Sequence, residues 1–164
     1  MKELLEQYSA YNLWANKKMM ETLNLLSHEE INKEIVSSFP SVYKTVLHIT
    51  NTEYMWWQRL KLAEHIESMM ETYKGSFKEL TEKLIQSSTQ WNEWVKAAND
   101  ANLTHVFAYQ NTKKEHFKQP VNEALLHLFN HQSYHRGQLV MIMRQLGVAK
   151  IPSTDFIVFT RKKP

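Results

Sequence analysis

ALLHLFNHQSYHRGQLVMIMRQLG, residues 124–147, is the most informative stretch of the chain. Its core-facing positions are three or four residues apart, which is the spacing of one face of an α-helix. Pro120 suits the first position of such a helix, and Gly147 suits its end. The pattern predicts a long helix over 120–146 with one continuous stripe, formed by Leu128, His131, His135, Leu139, Ile142 and Leu146.

Two histidines, His131 and His135, occupy this stripe. At positions i and i+4 their rings lie one turn apart on the same face, so one metal ion can bridge them. An unsatisfied buried polar group costs roughly 1–3 kcal/mol, and a divalent ion would satisfy both rings. The spacing alone is a weak signal, because eight histidines placed at random give roughly 0.4 such pairs, and His127 with His131 forms another. Hydrogen bonds to hydroxyl groups, or a wet groove, are the alternative.

Three further segments, residues 2–26, 42–64 and 77–98, show helical periodicity. Ser27 with Glu30 and Ser76 with Glu79 have the spacing of capping boxes at helix starts. Residues 104–119 change character, so a small hairpin or extended excursion is expected before the last helix. The apolar tail at 156–159 is expected to be extended and to pack against the helices. The sequence therefore predicts an all-α fold.

Composition favours one helical domain over residues 1–164, because 43% of the chain is hydrophobic and only three glycines and four prolines interrupt it. Cysteine is absent, which excludes disulfides and thiolate metal ligands. The formal charge of +3 is small, and Arg161, Lys162 and Lys163 account for much of it. Acidic residues are interspersed with basic ones, so no nucleic-acid surface is expected. The N-terminal residues lack the apolar run of a secretory signal or membrane span, so a cytoplasmic location without membrane contact is expected.

Three segments together resemble the DinB-like family. The last helix carries Asn-His at 130–131 and His-Arg-Gly-Gln at 135–138, which is similar to the signature helix of that family. Residues 11–16, YNLWAN, resemble its first-helix motif, and residues 45–49, TVLHI, resemble its second-helix motif. The resemblance spans most of the chain, in the order that the family shows.

The resemblance implies a four-helix bundle in which His48, His131 and His135 hold one divalent metal ion between the second and last long helices. Three neutral protein ligands plus solvent form the open arrangement of catalytic metal sites. Zinc or nickel is favoured as the ion, with iron and manganese as alternatives, because imidazole suits several of these metals.

The family resemblance also implies a function: a metal-dependent transferase acting on a small molecule together with a low-molecular-weight thiol. One alternative is a metal-water hydrolase, for which Glu53 is a candidate base, since the histidine pair lacks the glutamate of an HExxH motif. Another is a non-catalytic, stress-associated metal-binding homodimer, which Trp and Met side chains exposed along helix edges would suit. A DNA-repair role, suggested by the family's damage-inducible name, is disfavoured by the missing basic surface.

The positions of several other residues predict roles for them. His127 is expected to line the cavity or to hydrogen-bond a neighbour, and Asn130 to orient a ligand histidine. Arg136 could bind an anionic group, although a solvated helix face or a structural ion pair is the commoner fate. Gly137 is expected to permit close helix packing. The other histidines are expected at the surface and the tryptophans in the core or a groove: His28, His65, His105, His116, Trp14, Trp56, Trp57, Trp91 and Trp94.

Overall fold

The structure, a computed structural model, describes residues 1–161; Lys162 and Lys163 of the basic tail lie outside this range. Helices dominate it, as the sequence predicts, and no helix among the described residues has the length and apolar character needed to cross a membrane. In chain order the elements are α1 (Lys2–Leu23), α2 (His28–Asn32), α3 (Val42–Leu60), α4 (Phe77–Ala97), α5 (Asp100–Thr104), β1 (Val106–Gln110), β2 (His116–Pro120), α6 (Val121–Gln145) and α7 (Phe156–Thr160).

The four long helices form a four-helix bundle. Helix α1 packs against α4 and α6, and α3 packs against the same two helices. The first two long helices of the chain, α1 and α3, therefore lie diagonally across the bundle. Contacts of His48 with His135 and of Trp56 with His127 show that α3 and α6 run antiparallel. This pairing places the middle of α3 against the middle of α6.

Local sequence signals explain where most helices begin. Both predicted capping boxes are present: the Ser27 hydroxyl accepts from the Glu30 amide, and Ser76 does the same for Glu79. The predicted ends extend one to four residues too far, since α1 ends at Leu23 and α3 ends at Leu60. Pro120 precedes α6 rather than starting it, because its ψ of 148° is extended.

The excursion before the last helix is an antiparallel hairpin, as predicted, with Val106 paired to Pro120. The short helix α5 was not predicted; Asn99 starts it by accepting a hydrogen bond from the Asn102 amide. The tail is a short helix, α7, so the prediction of an extended tail is wrong. Its expected packing is confirmed, because the Phe156 ring lies 5.1 Å from that of Tyr11 on α1.

Two apolar clusters, separated by buried polar side chains, fill the bundle. One cluster contains Leu23, Val46 and Leu84, and the other contains Trp56 and Leu128. We call the buried polar side chains between the α1, α3, α4 and α6 helices the polar layer; its members are Ser9, Asn12, Asn16, Glu53, Ser88, Asn92 and Arg136.

Candidate metal centre

Three histidines from two helices converge on one point. His48 lies in the middle of α3, and His131 and His135 lie one turn apart on α6. The Nε2 atom of His48 is 3.2 Å from that of His131 and 3.1 Å from that of His135, and the last two are 3.1 Å apart. We call these residues the histidine cluster. The structure thus brings together the three side chains expected to converge, while ligation itself stays a prediction.

The spacing of these nitrogens fits one divalent ion. Three nitrogens that bind one tetrahedral ion at about 2.0–2.1 Å lie about 3.3 Å from each other, and the observed separations are 3.1 to 3.2 Å. Hydrogen bonds alone cannot satisfy all three Nε2 atoms, because the N–H of one ring points at only one of the two neighbouring nitrogens. Among residues 1–161, no other group of three or more His, Cys, Asp or Glu side chains is arranged to hold a metal.

The environment keeps the cluster imidazoles neutral. Burial, followed by the charge of His135, lowers the pKa of His48 to about 4. Burial, followed by the neighbouring histidines, lowers the pKa of His131 to about 3. Burial also lowers the pKa of His135, although its hydrogen bond to Gln138 acts in the opposite direction. Neutral imidazole is the form that binds metals, so the cluster is ready to do so at neutral pH.

Side chains around the cluster fix the orientation of the His48 and His135 rings. The Phe39 ring stacks on the His48 ring, with centroids 4.0 Å apart. The Phe39 and His135 rings meet in an edge-to-face arrangement, with centroids 5.7 Å apart. Gln138 Oε1 lies 2.8 Å from Nδ1 of His135, and the Gln138 amide donates to the Ser38 hydroxyl at 3.2 Å. A ligand histidine usually donates its second ring N–H to such an acceptor, which fixes its tautomer and orientation. Neither Phe39 nor Gln138 was predicted to belong to the site.

A fully buried glutamine joins the two helices that carry the cluster. Gln132, which follows His131 on α6, donates from Nε2 to the Ile49 carbonyl of α3 at 3.0 Å. Ile49 directly follows His48. The bond therefore fixes the register of the helices at the level of the cluster.

The side chains near His131 differ from the sequence predictions in two cases. His127 lies outside the cluster, as expected, with its ring 5.9 Å from that of His131 and 5.3 Å from that of Trp56. Asn130 is exposed, so its predicted role in orienting a ligand is wrong, and Gln138 contacts a cluster histidine instead. Gly137 is also exposed, and an added Cβ would meet no atom within 4 Å, so its predicted role in close packing is wrong.

Arg136 lies inside the bundle rather than on a solvated face. Only 2% of its surface is exposed. One terminal nitrogen donates to Oδ1 of Asn12 at 2.7 Å and of Asn16 at 2.9 Å, and the other donates to the Ser133 hydroxyl at 2.8 Å. The predictions of a solvated helix face and of an anion-binding role are therefore wrong, because these donors are used by Asn12, Asn16 and Ser133 inside the bundle. The predicted structural ion pair is not formed either, since no carboxylate of the described residues lies within 4 Å of the guanidinium.

Glu53 also belongs to the polar layer, so its suggested role as a base at the metal centre is wrong. Its carboxylate accepts from Asn12 at 3.0 Å and from the Ser88 hydroxyl at 2.9 Å, and it has no exposed surface. Burial raises its pKa to about 7, against the effect of these hydrogen bonds and of Arg136. Glu53 follows His48 by five residues, which places it on a different face of α3.

The remaining predictions for aromatic and histidine side chains are mostly confirmed. The four histidines expected at the surface are exposed. Trp56 and Trp91 are buried, and the other tryptophans are half-buried. The expectation of tryptophans exposed along helix edges is therefore wrong, whereas Met141 on α6 is 58% exposed.

Comparison with known proteins gives a consistent result. The model of the DinB family matches residues 1–163. The protein DinB of Bacillus subtilis (strain 168) is 28% identical over 155 residues, which cover 89% of this chain and 87% of that protein. A solved DinB-like protein from Bacillus cereus ATCC 10987 has a TM-score of 0.65 at 22% identity, covering 85% of this chain and 90% of that one. YfiT from Bacillus subtilis, described as a probable metal-dependent hydrolase with an unusual four-helix bundle topology, has a TM-score of 0.65 at 13% identity and covers 90% of each chain.

Proposed function

The chain belongs to the DinB family, and we propose that it binds one divalent metal ion through the histidine cluster and uses it in a reaction of a small molecule. The observation that carries this proposal is the set of three Nε2 atoms within 3.1 to 3.2 Å of each other. The description of YfiT as a probable metal-dependent hydrolase supports metal dependence. A divalent ion would supply a Lewis acid that lowers the pKa of a water or thiol in its open position.

The surroundings of the cluster favour a thiol over water as the nucleophile, and we propose a thiol-dependent transferase. No carboxylate among residues 1–161 joins the cluster, and Glu53 is held in the polar layer. A free thiol has an ordinary pKa of about 8.5, so it needs far less help to ionise than water does. The chain has no cysteine, so the thiol has to come from a separate small molecule.

Metal-dependent hydrolysis is the second candidate, with His127 as the proton acceptor. His127 makes no hydrogen bond among the described residues, and its ring lies 5.9 Å from that of His131. Burial, followed by the charge of Arg59, lowers the pKa of His127, so the ring is neutral and able to accept a proton near neutral pH.

Metal binding is tested by titrating metal-depleted protein with zinc or nickel against a chromophoric chelator. We expect one ion per chain. His131→Ala should lower the affinity by more than about 100-fold, which is beyond the effect of losing an outer hydrogen bond. His127→Ala tests the ligand assignment, and His28→Ala, at an exposed site, is the control; both should bind like the parent. Equal losses in His131→Ala and His127→Ala would refute the assignment.

The choice between thiol and water is tested on cobalt-substituted protein. Low-molecular-weight thiols are added while the visible spectrum is followed, and a sulfur-to-cobalt charge-transfer band is expected with at least one of them. Alcohols of the same length serve as controls. If no thiol changes the spectrum while ester or amide hydrolysis depends on the metal and on His127, the hydrolase candidate replaces the transferase.

A homodimer is proposed as the assembly. Large apolar side chains on α6 support it, because Tyr134 is 63% exposed and Met141 is 58% exposed on the same helix. Light scattering at several protein concentrations tests the oligomeric state, and Met141→Lys should shift it toward the monomer. A parent protein that is monomeric at every concentration would refute the dimer.

A further inference from the structure

Arg59, in the last turn of α3, is a buried cation without an anionic partner in the structure. Only 9% of its surface is exposed, and its Nε atom is buried with no hydrogen-bond partner among residues 1–161. The ion pairs of the described chain join Lys2 to Glu6 and Lys18 to Glu21. Buried charged groups are normally paired, because removal from water is unfavourable. The guanidinium therefore lacks the partner that its burial calls for.

Two aromatic rings lie against this guanidinium, and no protein group among residues 1–161 accepts a hydrogen bond from its Nε atom. The central carbon lies 4.8 Å from the Trp56 ring and 5.5 Å from the Tyr109 ring. Cation–π contacts of this kind stabilise the charge through the ring faces and do not accept the N–H groups. Arg136, by contrast, is more deeply buried, with 2% of its surface exposed against 9% for Arg59, and it donates to three side-chain oxygens. The side-chain donors of Arg59 have no acceptor among residues 1–161 and are free for a ligand.

A chain of neighbouring rings connects Arg59 to the histidine cluster. Trp56, which contacts the guanidinium, also contacts His127 at 5.3 Å, and His127 lies 5.9 Å from His131. Trp56 follows His48 by eight residues, a rise of roughly 12 Å along α3. The arginine side chain reaches back along the helix toward Trp56, which is the direction of the cluster. The distance between the two groups is therefore comparable to the length of a small organic molecule.

The charges that face this region also favour an anion. The strands β1 and β2 contain no acidic residue, and Glu53, the only acidic residue of α3, is enclosed in the polar layer. On α6, Glu123 lies one turn before His127, is exposed and makes no ion pair with Arg59. No carboxylate of the described chain lies within ion-pair distance of Arg59.

We propose that Arg59 is an anion-binding subsite that holds the carboxylate of a small organic acid, so that the other end of the molecule reaches the histidine cluster. The subsite would select substrates or thiols that carry a carboxylate at their far end. The selection of a thiol rests on the proposed function, whereas binding of the carboxylate does not require the metal. A planar guanidinium edge matches the two oxygens of a carboxylate.

The subsite is tested first without metal, using octanoate and octanol. Octanoate ends in a charged carboxylate, whereas octanol ends in a neutral hydroxyl. Calorimetric titration of metal-depleted protein should show a preference for octanoate. Arg59→Met should lower octanoate affinity by about tenfold or more and leave octanol affinity unchanged. Arg144→Met, at an exposed arginine of α6, is the matched control and should change neither. A parent without preference for octanoate, or an equal loss in Arg144→Met, would overturn the proposal.

Two further arms separate the alternatives. If Arg59 only packs between the rings, Arg59→Met lowers thermal stability and leaves the octanoate-to-octanol ratio unchanged, which refutes the subsite. If Arg59→Met does not fold, Arg59→Lys is used instead. A ratio of octanoate to octanol affinity that falls about threefold or more supports the subsite, and an unchanged ratio overturns it. On cobalt-substituted protein, the terminal-thiol derivatives of both probes are then compared. Octanoate binding that depends on Arg59, without any spectral response to its thiol derivative, would retain the subsite and refute the thiol-dependent function.

Discussion

Replacing Arg136 by methionine should strongly destabilise the bundle. Methionine fills much of the same volume but removes the donors to Asn12 Oδ1, Asn16 Oδ1 and Ser133 Oγ. Each buried acceptor left without a partner costs about 1–3 kcal/mol, and the two asparagine oxygens are buried. Glu53 also loses the positive charge that opposes the rise of its pKa. Removing the guanidinium also removes the cost of burying its charge, which offsets part of this effect. We therefore expect the free energy of unfolding to fall by about 3–5 kcal/mol.

Urea unfolding followed by circular dichroism measures this loss for Arg136→Met. In a thermal scan, the same loss corresponds to a fall in Tm of roughly 6–20 °C for a chain of this size. Arg144→Met, two turns later on the same helix and exposed, is the matched control and should change stability by less than about 0.5 kcal/mol. A loss below about 1 kcal/mol in Arg136→Met, or similar losses in both variants, would refute the polar layer as a stabilising network.

The other predictions concern the hydrogen bond to His135, the pH dependence of stability and the exposed Gly137. Gln138→Leu removes the acceptor of the His135 Nδ1–H and should lower zinc affinity by about 10–100-fold in a chelator competition; affinity equal to the parent would contradict the hydrogen bond's role. Metal-free protein should lose stability as the pH falls below about 6.5, because the lowered pKa of each cluster histidine means that unfolding takes up protons there. Glu53, with its raised pKa, acts with the opposite sign between about 4.5 and 7, so Glu53→Gln should steepen this loss in urea titrations, and a shallower slope would count against it. Gly137→Ala should raise stability by about 0.5–1 kcal/mol, since the added methyl group meets no atom within 4 Å; a lower unfolding midpoint would show a contact that the structure lacks.

Periodicity and capping predicted the long helices and the placement of His131 and His135, because these signals are local. The third member of the histidine cluster, His48, is 83 residues away from His131 in the chain. Helical spacing identifies the face that a residue occupies but not the helix that this face meets, so the resemblance alone pointed to His48. Phe39 lies outside any helix, where no periodicity could have indicated its contact with His48.

The sequence contained a usable signal for Glu53 and Arg136, whose predicted roles were wrong. Glu53 lies in the apolar stripe of α3, between Ile49 and Trp56, and a carboxylate in such a stripe predicts burial with polar partners. Asn12 and Asn16 have the i, i+4 spacing on α1 that supplies those partners. Read together, these positions indicate a polar layer inside the bundle, and Arg136 one residue after His135 completes it.

Anomalous diffraction at the metal edge, from crystals of protein loaded with one equivalent of zinc, tests the metal centre most directly. We expect a single strong peak about 2.0–2.1 Å from the Nε2 atoms of His48, His131 and His135. A peak coordinated by His127 in place of His48, or no peak between α3 and α6, would contradict the assignment.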